Sequence, residues 1–286
     1  MTASISERLA GSHVLVTGVT GFLGQAVLER LLGDVPDARI TLLVRAQGGV
    51  AAADRVESLL AGPAFNALRE RVGAEDIRQM LVERIDVIEG DVAESVPALT
   101  GPIDVVFHCA ATVSFDPPID EGFRTNVLGS VHLYEGLRRA GVQPHVVHVS
   151  TAYVAGVARG TIPEAPLAHE VDWRTEADAA FQAQADVDRA SRRPEVLDRF
   201  LRGAAREHAR AGPQTVAEDA ERRRRDWVRA RLVRYGLSRA QTLGWPDIYT
   251  LTKALGERVA EEAAADLPVS IVRPSIIESA LRHPFP

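Results

Sequence analysis

The chain has 286 residues, of which 46% are hydrophobic and 5% aromatic, enough to bury the core of one large domain. Its net charge of −6 argues against a nucleic-acid binder, and the single cysteine excludes an internal disulfide and most cysteine-rich metal sites. Because no apolar run approaches the roughly 18 residues of a membrane span and no signal-peptide pattern opens the chain, we expect a soluble, cytoplasmic protein without a bound metal.

Short apolar stretches alternate with helical stretches along the chain. Predicted strands lie at residues 13–17, 40–44, 85–89, 105–108, 145–149 and 269–272. Most are rich in Val and Ile without strict polar alternation, as buried parallel strands are. Predicted helices lie at 22–32, 122–140 and 248–265, and further helices are expected within 51–81. The alternation predicts an α/β fold with a doubly wound parallel sheet of the Rossmann type.

Residues 175–240 depart from this alternation, because they are polar, rich in arginine and carry apolar residues at helical spacing. We interpret them as a helical insertion between the fifth strand and the helix that begins at 248. The four arginines at 222–225 could bind phosphates. The simpler interpretation is a solvated helix face, whose charge is balanced by Glu218, Asp219, Glu221 and Asp226.

The first predicted strand runs directly into a glycine-rich turn, in which Gly18, Gly21 and Gly24 follow the spacing GxxGxxG. A strand before this spacing and a helix after it predict a loop that holds a dinucleotide. One glycine permits the tight turn, the second lets backbone approach a pyrophosphate, and the third lets helix and strand pack closely. The helix N-terminus adds unpaired N–H groups. The remaining predicted cofactor contacts in this loop are Thr20, Phe22 and Leu23.

The second strand ends at Arg45, where NAD-specific sites usually carry an acidic residue for the ribose 2′-hydroxyl. A guanidinium suits a 2′-phosphate instead, so we predict NADPH as the cofactor, with Arg55 assisting. The alternative is that Arg45 is an incidental surface arginine.

The third strand is followed by Asp91 and Val92. Asp91 can accept a hydrogen bond from adenine, although a turn residue would look the same.

Small or turn-forming residues follow two further strands. Ala110 and Ala111 come after the fourth strand and are expected to let backbone approach the cofactor. Pro274 and Ser275 follow the sixth strand and are expected to shape the nicotinamide pocket. Cys109, at the same strand end as the alanines, is interpreted as a small packed residue and not as a nucleophile.

Tyr249 and Lys253 form a YxxxK pair in the last predicted helix, and a spacing of four places both side chains on one face. Lys253 is the only lysine in a chain whose lysines and arginines total 33. Its compact ammonium can hold both ribose hydroxyls and favours the ionised form of a neighbouring tyrosine, which the planar arginine fork would not reproduce. The alternative is a solvent-facing Tyr and Lys.

Two more polar positions complete the predicted catalytic set. The fifth strand ends in Ser150 and Thr151, and strand C-termini face the ligand in a doubly wound sheet. We prefer Thr151 to Ser150 as the hydroxyl that bonds the substrate oxygen. Asn126 lies within a predicted helix, where asparagine is mildly unfavourable, and is expected to hold a proton-relay water.

A family resemblance accompanies these residues. The stretches TGVTGFLG, LLVRA, GDV, HCAATVSFD, TNVLGS, HVSTAYV, YTLTKALGE and VSIVRPSII resemble, in order, the extended short-chain dehydrogenase/reductases. HCAATVSFDPPIDEGFRTNVLG and RPSIIESALRHPFP resemble bacterial-type fatty acyl-CoA reductases in particular. The resemblance implies NADPH-dependent reduction of a long-chain acyl-CoA to an aldehyde or alcohol, with Thr151, Tyr249 and Lys253 in catalysis.

Other functions share these motifs. Thioester reductase domains act on carrier-bound acyl groups, nucleotide-sugar epimerases and dehydratases share the catalytic set, and a non-catalytic NADP-sensing protein would be expected to lose the Tyr/Lys pair. HCAATVSFD argues against the epimerase on resemblance alone.

The resemblance covers most of residues 14–286 outside the insertion and implies one NADP-binding catalytic domain over 1–286, without the C-terminal substrate-binding region of relatives. We therefore expect poor acyl-CoA reduction unless the insertion holds the acyl chain. The expected partner is the small-molecule substrate, and peripheral membrane contact and oligomeric state stay open.

Overall fold

The computed structural model describes residues 3–35, 37–208 and 212–278. Part of the motif RPSIIESALRHPFP, from residue 279 onward, therefore lies outside the described residues. The described residues group into two compact units. The first takes its residues from Met1–Thr112, Thr125–Tyr153 and Gly256–Pro286, and the second from Val113–Arg124 and Val154–Leu255.

The first unit contains a six-stranded sheet whose strands are all parallel. The strands are β1 (His13–Thr17), β2 (Arg39–Val44), β3 (Ile85–Glu89), β4 (Val105–His108), β5 (His145–Val149) and β6 (Val269–Val272). They lie in the order β3-β2-β1-β4-β5-β6, so the direction of winding reverses between β1 and β4. Ligands of such sheets bind at the carboxyl ends of the strands beside that reversal.

The α-helices are named in chain order. They are α1 (Ile5–Leu9), α2 (Phe22–Asp34), α3 (Ala52–Leu60), α4 (Asn66–Val72), α5 (Ala74–Arg84), α6 (Ile119–Phe123), α7 (Gly129–Ala140), α8 (Trp173–Ser191), α9 (Pro194–Glu207), α10 (Gly212–Leu243) and α11 (Ile248–Ala263). Helix α11 belongs to the second unit up to Leu255 and to the first from Gly256.

The predicted doubly wound sheet is confirmed, and five of the six strands have the predicted bounds, because their runs of Val and Ile end at polar or turn residues. Strand β2 begins one residue earlier than predicted, at Arg39. Val14 pairs with Ile40 on one side and Val105 on the other; Val14 and Ile40 are buried in the apolar core of the first unit, and Val105 packs against it. Such fully enclosed strands lack polar alternation.

One predicted helix, 122–140, is interrupted. The structure has α6, then a π-helical segment at Arg124–Leu128, and then α7. A π-helical turn adds one residue to the hydrogen-bonded loop and is often found at functional sites. The predicted site residue Asn126 lies within it, and its side chain is buried.

The second unit contains the predicted helical insertion, which is confirmed and slightly longer than 175–240. Helix α8 begins at Trp173 because the Asp172 carboxylate caps it, accepting from the Thr175 N–H at 2.8 Å. Helices α9 and α10 pack through Phe200, Ala204 and Ala220. Near its C-terminal end α10 carries Gly236, where any side chain would overlap Ile248 at the start of α11.

The four arginines of the insertion pair with carboxylates, and two of the expected partners, Asp219 and Glu221, are among them, whereas Asp188 and Glu207 were not expected. Arg222 and Arg223 pair with Asp219, and Arg225 pairs with Glu221. Arg224 pairs with Glu221 and also with the distant Asp188, both at 2.8 Å. Because Arg224 is only 8% exposed, the solvated interpretation is wrong for this residue.

Within the described part of the chain, no helix combines the length and the apolar character that crossing a bilayer requires.

Candidate functional site

The glycine-rich turn lies at the carboxyl end of β1 and is closed by backbone on both sides. Gly18 has φ of +70°, and a side chain there would overlap the backbone of Ala110, which follows β4. A side chain at Gly24 would overlap the carbonyl group of Gly18. The structure thus assigns Gly18 and Gly24 a packing role and brings the Ala110 backbone beside the turn. The contact of Ala110 with the cofactor stays a prediction.

Helix α2 starts immediately after Gly21, whose N–H donates to the Gly18 carbonyl at 3.0 Å. No side chain caps this helix, so the first-turn N–H groups are not satisfied by a capping residue. A Cβ at Gly21 would have the Gly18 carbonyl at 3.3 Å as its nearest neighbour, which leaves the outer side of the turn accessible. An uncapped helix start behind a glycine cradle fits the pyrophosphate of an NAD(P) dinucleotide.

The ends of β1 and β4 are held together by a buried polar network. Thr17 Oγ1 hydrogen-bonds His108 Nδ1 at 2.8 Å and accepts from the Ala110 N–H at 3.2 Å. His108 Nε2 lies 3.2 Å from Ser130 Oγ on α7. His108 therefore has a structural role, and it fixes the backbone that faces the glycine turn.

Arg45, Arg55 and Asp91 come together at the carboxyl ends of β2 and β3. The Arg45 guanidinium donates to Asp91 Oδ2 at 3.2 Å, and the Arg55 guanidinium donates to the Arg45 carbonyl. Asp91 Oδ1 accepts from the Ala93 N–H at 2.9 Å, as a turn residue would. The Arg45 side chain is 58% exposed, so its guanidinium is accessible to a ligand. The adenine contact of Asp91 stays a prediction.

Asn126 anchors the segment that follows β4. Its amide oxygen accepts from the Thr112 N–H at 2.9 Å, and its amide nitrogen donates to the Thr112 carbonyl at 3.2 Å. These two bonds place Ala111 and Thr112 through a side chain in the π-helical segment. The proton-relay function of Asn126 is a separate prediction.

The carboxyl ends of β5 and β6 are also joined. The Ala152 N–H, next to Thr151, donates to the Pro274 carbonyl at 2.8 Å, which brings together two predicted parts of the site. Thr151 is 4% exposed, and its hydroxyl oxygen accepts from the Tyr153 N–H at 3.3 Å, so its proton remains available to donate. Ser150 Oγ is buried without a hydrogen-bond partner among the described residues.

A buried ion pair, which the sequence analysis did not anticipate, fixes the segment containing Pro274 and Ser275. The Arg273 guanidinium donates to both carboxylate oxygens of Glu257, with Nη2 to Oε2 at 2.7 Å. Glu257 is fully buried in α11, and its hydrogen bond raises the pKa of Arg273. The sequence signal that could have indicated this pair is Glu257, an acidic residue four positions after Lys253.

In the second unit, Tyr249 and Lys253 occupy the first half of α11, one turn apart. The Asp247 carboxylate accepts from the Thr250 N–H at 2.8 Å and caps this helix start. Lys253 is 5% exposed, whereas Tyr249 is half-buried. The Tyr249 ring lies edge-to-face with Phe115, with centroids 5.5 Å apart. Phe115 was not predicted, although an aromatic residue in a polar segment was a usable signal.

Comparison with known proteins agrees with this geometry. An NAD-binding family model described as male sterility protein matches residues 16–286. The chain belongs to the male sterility protein family. Membership in this family confirms the predicted NAD(P) class of cofactor and the predicted short-chain dehydrogenase/reductase assignment, while the preference for NADPH stays a prediction.

Two relatives of this male sterility family member are named fatty acyl-CoA reductases. Fatty acyl-CoA reductase 2, chloroplastic, from Arabidopsis thaliana is 33% identical over 292 residues, covering 99% of this chain and 44% of the relative. The alcohol-forming fatty acyl-CoA reductase of Simmondsia chinensis is 29% identical over 294 residues, covering 99% and 55%. The chain thus spans about half the length of the relatives it matches.

Among solved structures, the terminal R domain of the myxalamid PKS-NRPS pathway superposes with a TM-score of 0.53 at 21% identity, over 93% of this chain and 49% of that one. A thiolation-reductase di-domain from an archaeal non-ribosomal peptide synthetase gives the same TM-score. At 21% identity, these similarities support the fold of the chain and not its substrate.

Proposed function

We propose that the chain carries the cofactor-binding and catalytic part of an NADPH-dependent reductase that converts long-chain fatty acyl-CoA to an aldehyde or alcohol. The observation that carries this proposal is the burial of Lys253, the sole lysine of the chain, one turn after Tyr249. Burying an ammonium costs free energy unless other groups use its charge, which supports a specific role for this lysine.

Binding of the cofactor would involve two regions of the first unit. The start of α2 and the glycine turn would hold the pyrophosphate, and Arg45 with Arg55 would receive the 2′-phosphate. The Arg45–Asp91 bond of 3.2 Å supports this placement, because it aims the guanidinium from the end of β2 toward the end of β3. When bound, NADPH supplies the hydride for a thioester carbonyl.

The residues of the chain would stabilise the oxygen that gains charge during reduction. Thr151 and Tyr249 would donate hydrogen bonds to that oxygen, and preorganised donors of this kind lower the barrier. Tyr249 would also deliver the proton that coenzyme A carries away as its thiol when the C–S bond breaks and the aldehyde carbonyl forms. Lys253 would favour the ionised form of Tyr249 and hold the ribose hydroxyls. Asn126 would position a water that returns the proton.

The acyl substrate is proposed from the names of the relatives and from two exposed apolar side chains in the segment whose Phe115 contacts Tyr249. Phe115 is 56% exposed and Val113 is 73% exposed, and both belong to the same unit as Tyr249. Exposed apolar side chains that cluster often mark a binding surface for an apolar group. The acyl chain is such a group.

The test measures NADPH oxidation with acyl-CoA substrates of increasing length, with identification of the product. We expect the turnover of the wild-type chain, even where it is low, to be lost in Tyr249→Phe, while NADPH affinity stays within about threefold because the phenol does not bind the phosphates. Tyr235→Phe, an exposed tyrosine of the same unit, is the matched control. Near-normal turnover by Tyr249→Phe would refute the proposal, and exclusive use of carrier-bound acyl groups would reassign the substrate.

A further inference from the structure

An open cleft of about 650 Å³ lies between α9 and α10, well within the size range of small-molecule sites. Four guanidiniums line it, from Arg199, Arg202, Arg206 and Arg223, beside the aromatic rings of Phe200 and Trp227. We call this feature the arginine cleft. Among the described residues, no acidic side chain lines it.

The arginines of the cleft are not equally neutralised. Arg202 pairs with Asp198 at 3.0 Å, and Arg223 pairs with Asp219 at 2.7 Å. Arg199 and Arg206 take part in none of the ion pairs found among residues 3–35, 37–208 and 212–278. The charges of these two guanidiniums are therefore not compensated by an ion pair among the described residues.

Two aromatic rings belong to the lining of the cleft. The rings of Phe200 and Trp227 lie edge-to-face with centroids 6.1 Å apart, and the Arg199 guanidinium lies 5.8 Å from the Phe200 centroid. Guanidinium groups bind phosphates through paired N–H donors, and aromatic side chains stack with purine bases. A cleft that combines both features suits a phosphorylated adenosine.

The position of the cleft along α10 relates it to the catalytic tyrosine. Gly236 of α10 packs on Ile248, the residue before Tyr249, so α10 passes beside the start of α11. Arg223 and Trp227 precede Gly236 by thirteen and nine residues, which is about 20 and 14 Å along the helix at a rise of 1.5 Å per residue. An extended pantetheine arm has a length of the same order.

We propose that the arginine cleft binds the phosphorylated adenosine end of the coenzyme A thioester, with its pantetheine arm running along α10 toward Tyr249. This inference rests on the proposed function for its substrate, but it makes a binding prediction that does not need turnover. The 3′-phosphate and the diphosphate would be held by Arg199 and Arg206, and the adenine would lie at the partly exposed Trp227, because Phe200 is only 7% exposed.

The test titrates coenzyme A into the chain by calorimetry in saturating NADPH, which keeps the ligand out of the cofactor site. We expect the double variant Arg199→Gln/Arg206→Gln to raise the Kd for coenzyme A at least tenfold. The Kd for 3′-dephospho-coenzyme A should rise by a smaller factor. The matched control is Arg193→Gln/Arg234→Gln, which removes two exposed charges outside the cleft. Unchanged urea unfolding of the second unit, followed by the fluorescence of its three tryptophans, verifies the folding of both variants.

Separate results identify separate failures. Acyl-CoA reduction with an unchanged Kd in the cleft variant would overturn the cleft and leave the proposed function standing. Arginine-dependent binding of coenzyme A without any reduction would support the cleft and contradict the proposed function. Binding to phosphatidylserine vesicles that depends on Arg199 and Arg206, without binding of coenzyme A, would overturn the proposal and assign the cleft to an anionic membrane surface.

Discussion

The ring of Phe115 lies edge-to-face with the ring of Tyr249, with an angle of 84° between their planes and 5.5 Å between their centroids. More than half of the Phe115 surface is exposed, so little of its apolar area contributes to the free energy of folding. We infer that the ring limits the orientations of Tyr249 and offers apolar surface to the substrate.

Replacing Phe115 by alanine should therefore impair catalysis more than folding. Aromatic pairs contribute about 0.5–1.5 kcal/mol, so kcat/KM for long-chain acyl-CoA should fall about two- to tenfold. Steady-state kinetics and thermal denaturation of the same samples measure both effects. Val113→Ala, a more exposed substitution in the same segment, should change kcat/KM less. Equal losses in the two variants would show that the ring contact has no special role.

Two glycine substitutions should separate packing from cofactor binding. Gly24→Ala forces a side chain into the Gly18 carbonyl, and overpacking of this kind costs about 1–3 kcal/mol, so the Tm of the cofactor-free chain should fall by roughly 2–10 °C. Gly21→Ala meets only one neighbour, at 3.3 Å, and has φ of −87°, which alanine adopts readily. It should keep most of the Tm while weakening NADPH binding. A Gly21→Ala chain with wild-type NADPH affinity would argue against close approach of the pyrophosphate.

Arg45→Ala should lower affinity for NADPH and leave affinity for NADH nearly unchanged. Hydrogen bonds to a charged phosphate contribute about 1.5–3 kcal/mol, which corresponds to a loss of roughly ten- to a hundredfold. Arg39→Ala, at the other end of β2, is the control for net charge. Fluorescence titration with both cofactors provides the measurement. Wild-type chain that binds the two cofactors equally would exclude a role for Arg45 in discrimination.

Acid should destabilise the second unit through Glu221. Its hydrogen bonds to Arg224 and Arg225 lower its pKa to about 2, so the carboxylate stabilises the fold above its unfolded pKa. That contribution is lost as the pH falls from about 4.3 toward 2, because the proton then displaces the arginines. All three tryptophans, Trp173, Trp227 and Trp245, belong to this unit, so their fluorescence reports its unfolding by urea.

Glu221→Gln should make the urea midpoint less dependent on pH in that interval. Glu218→Gln, on the same helix and outside these ion pairs, should leave the dependence as in the wild type. The same pH slope in both variants would mean that the Arg224 cluster does not control acid unfolding.

Local patterns in the sequence were sufficient to predict the strands of the sheet. Each strand is a short run of Val and Ile that ends in a turn or polar residue, and the glycine spacing required a strand before it and a helix after it. The pairing of β1 with both β2 and β4 follows from the rules for such folds. Residues whose role depends on their own backbone, such as Gly18 and Gly24, were therefore predictable.

Contacts between residues far apart in the chain were not predictable from the sequence. Arg224 pairs with Asp188, 36 positions away, and Arg273 pairs with Glu257 across 16 positions. Any of the 33 basic and 39 acidic residues could have formed such pairs, so composition does not select them. The π-helical segment that contains Asn126 has no recognised sequence pattern, which is why a continuous helix was predicted there.

The presence of a single lysine among the 33 lysine and arginine residues has a practical consequence for spectroscopy. Lys253 carries the only side-chain amine of the chain and lies 5% exposed in α11. Biosynthetic incorporation of ¹³C-labelled lysine would therefore label this side chain alone. The lysine resonance would report directly on the ammonium beside Tyr249, without assignment of any other residue. A ligand that reaches this helix would be visible as a shift of a single signal.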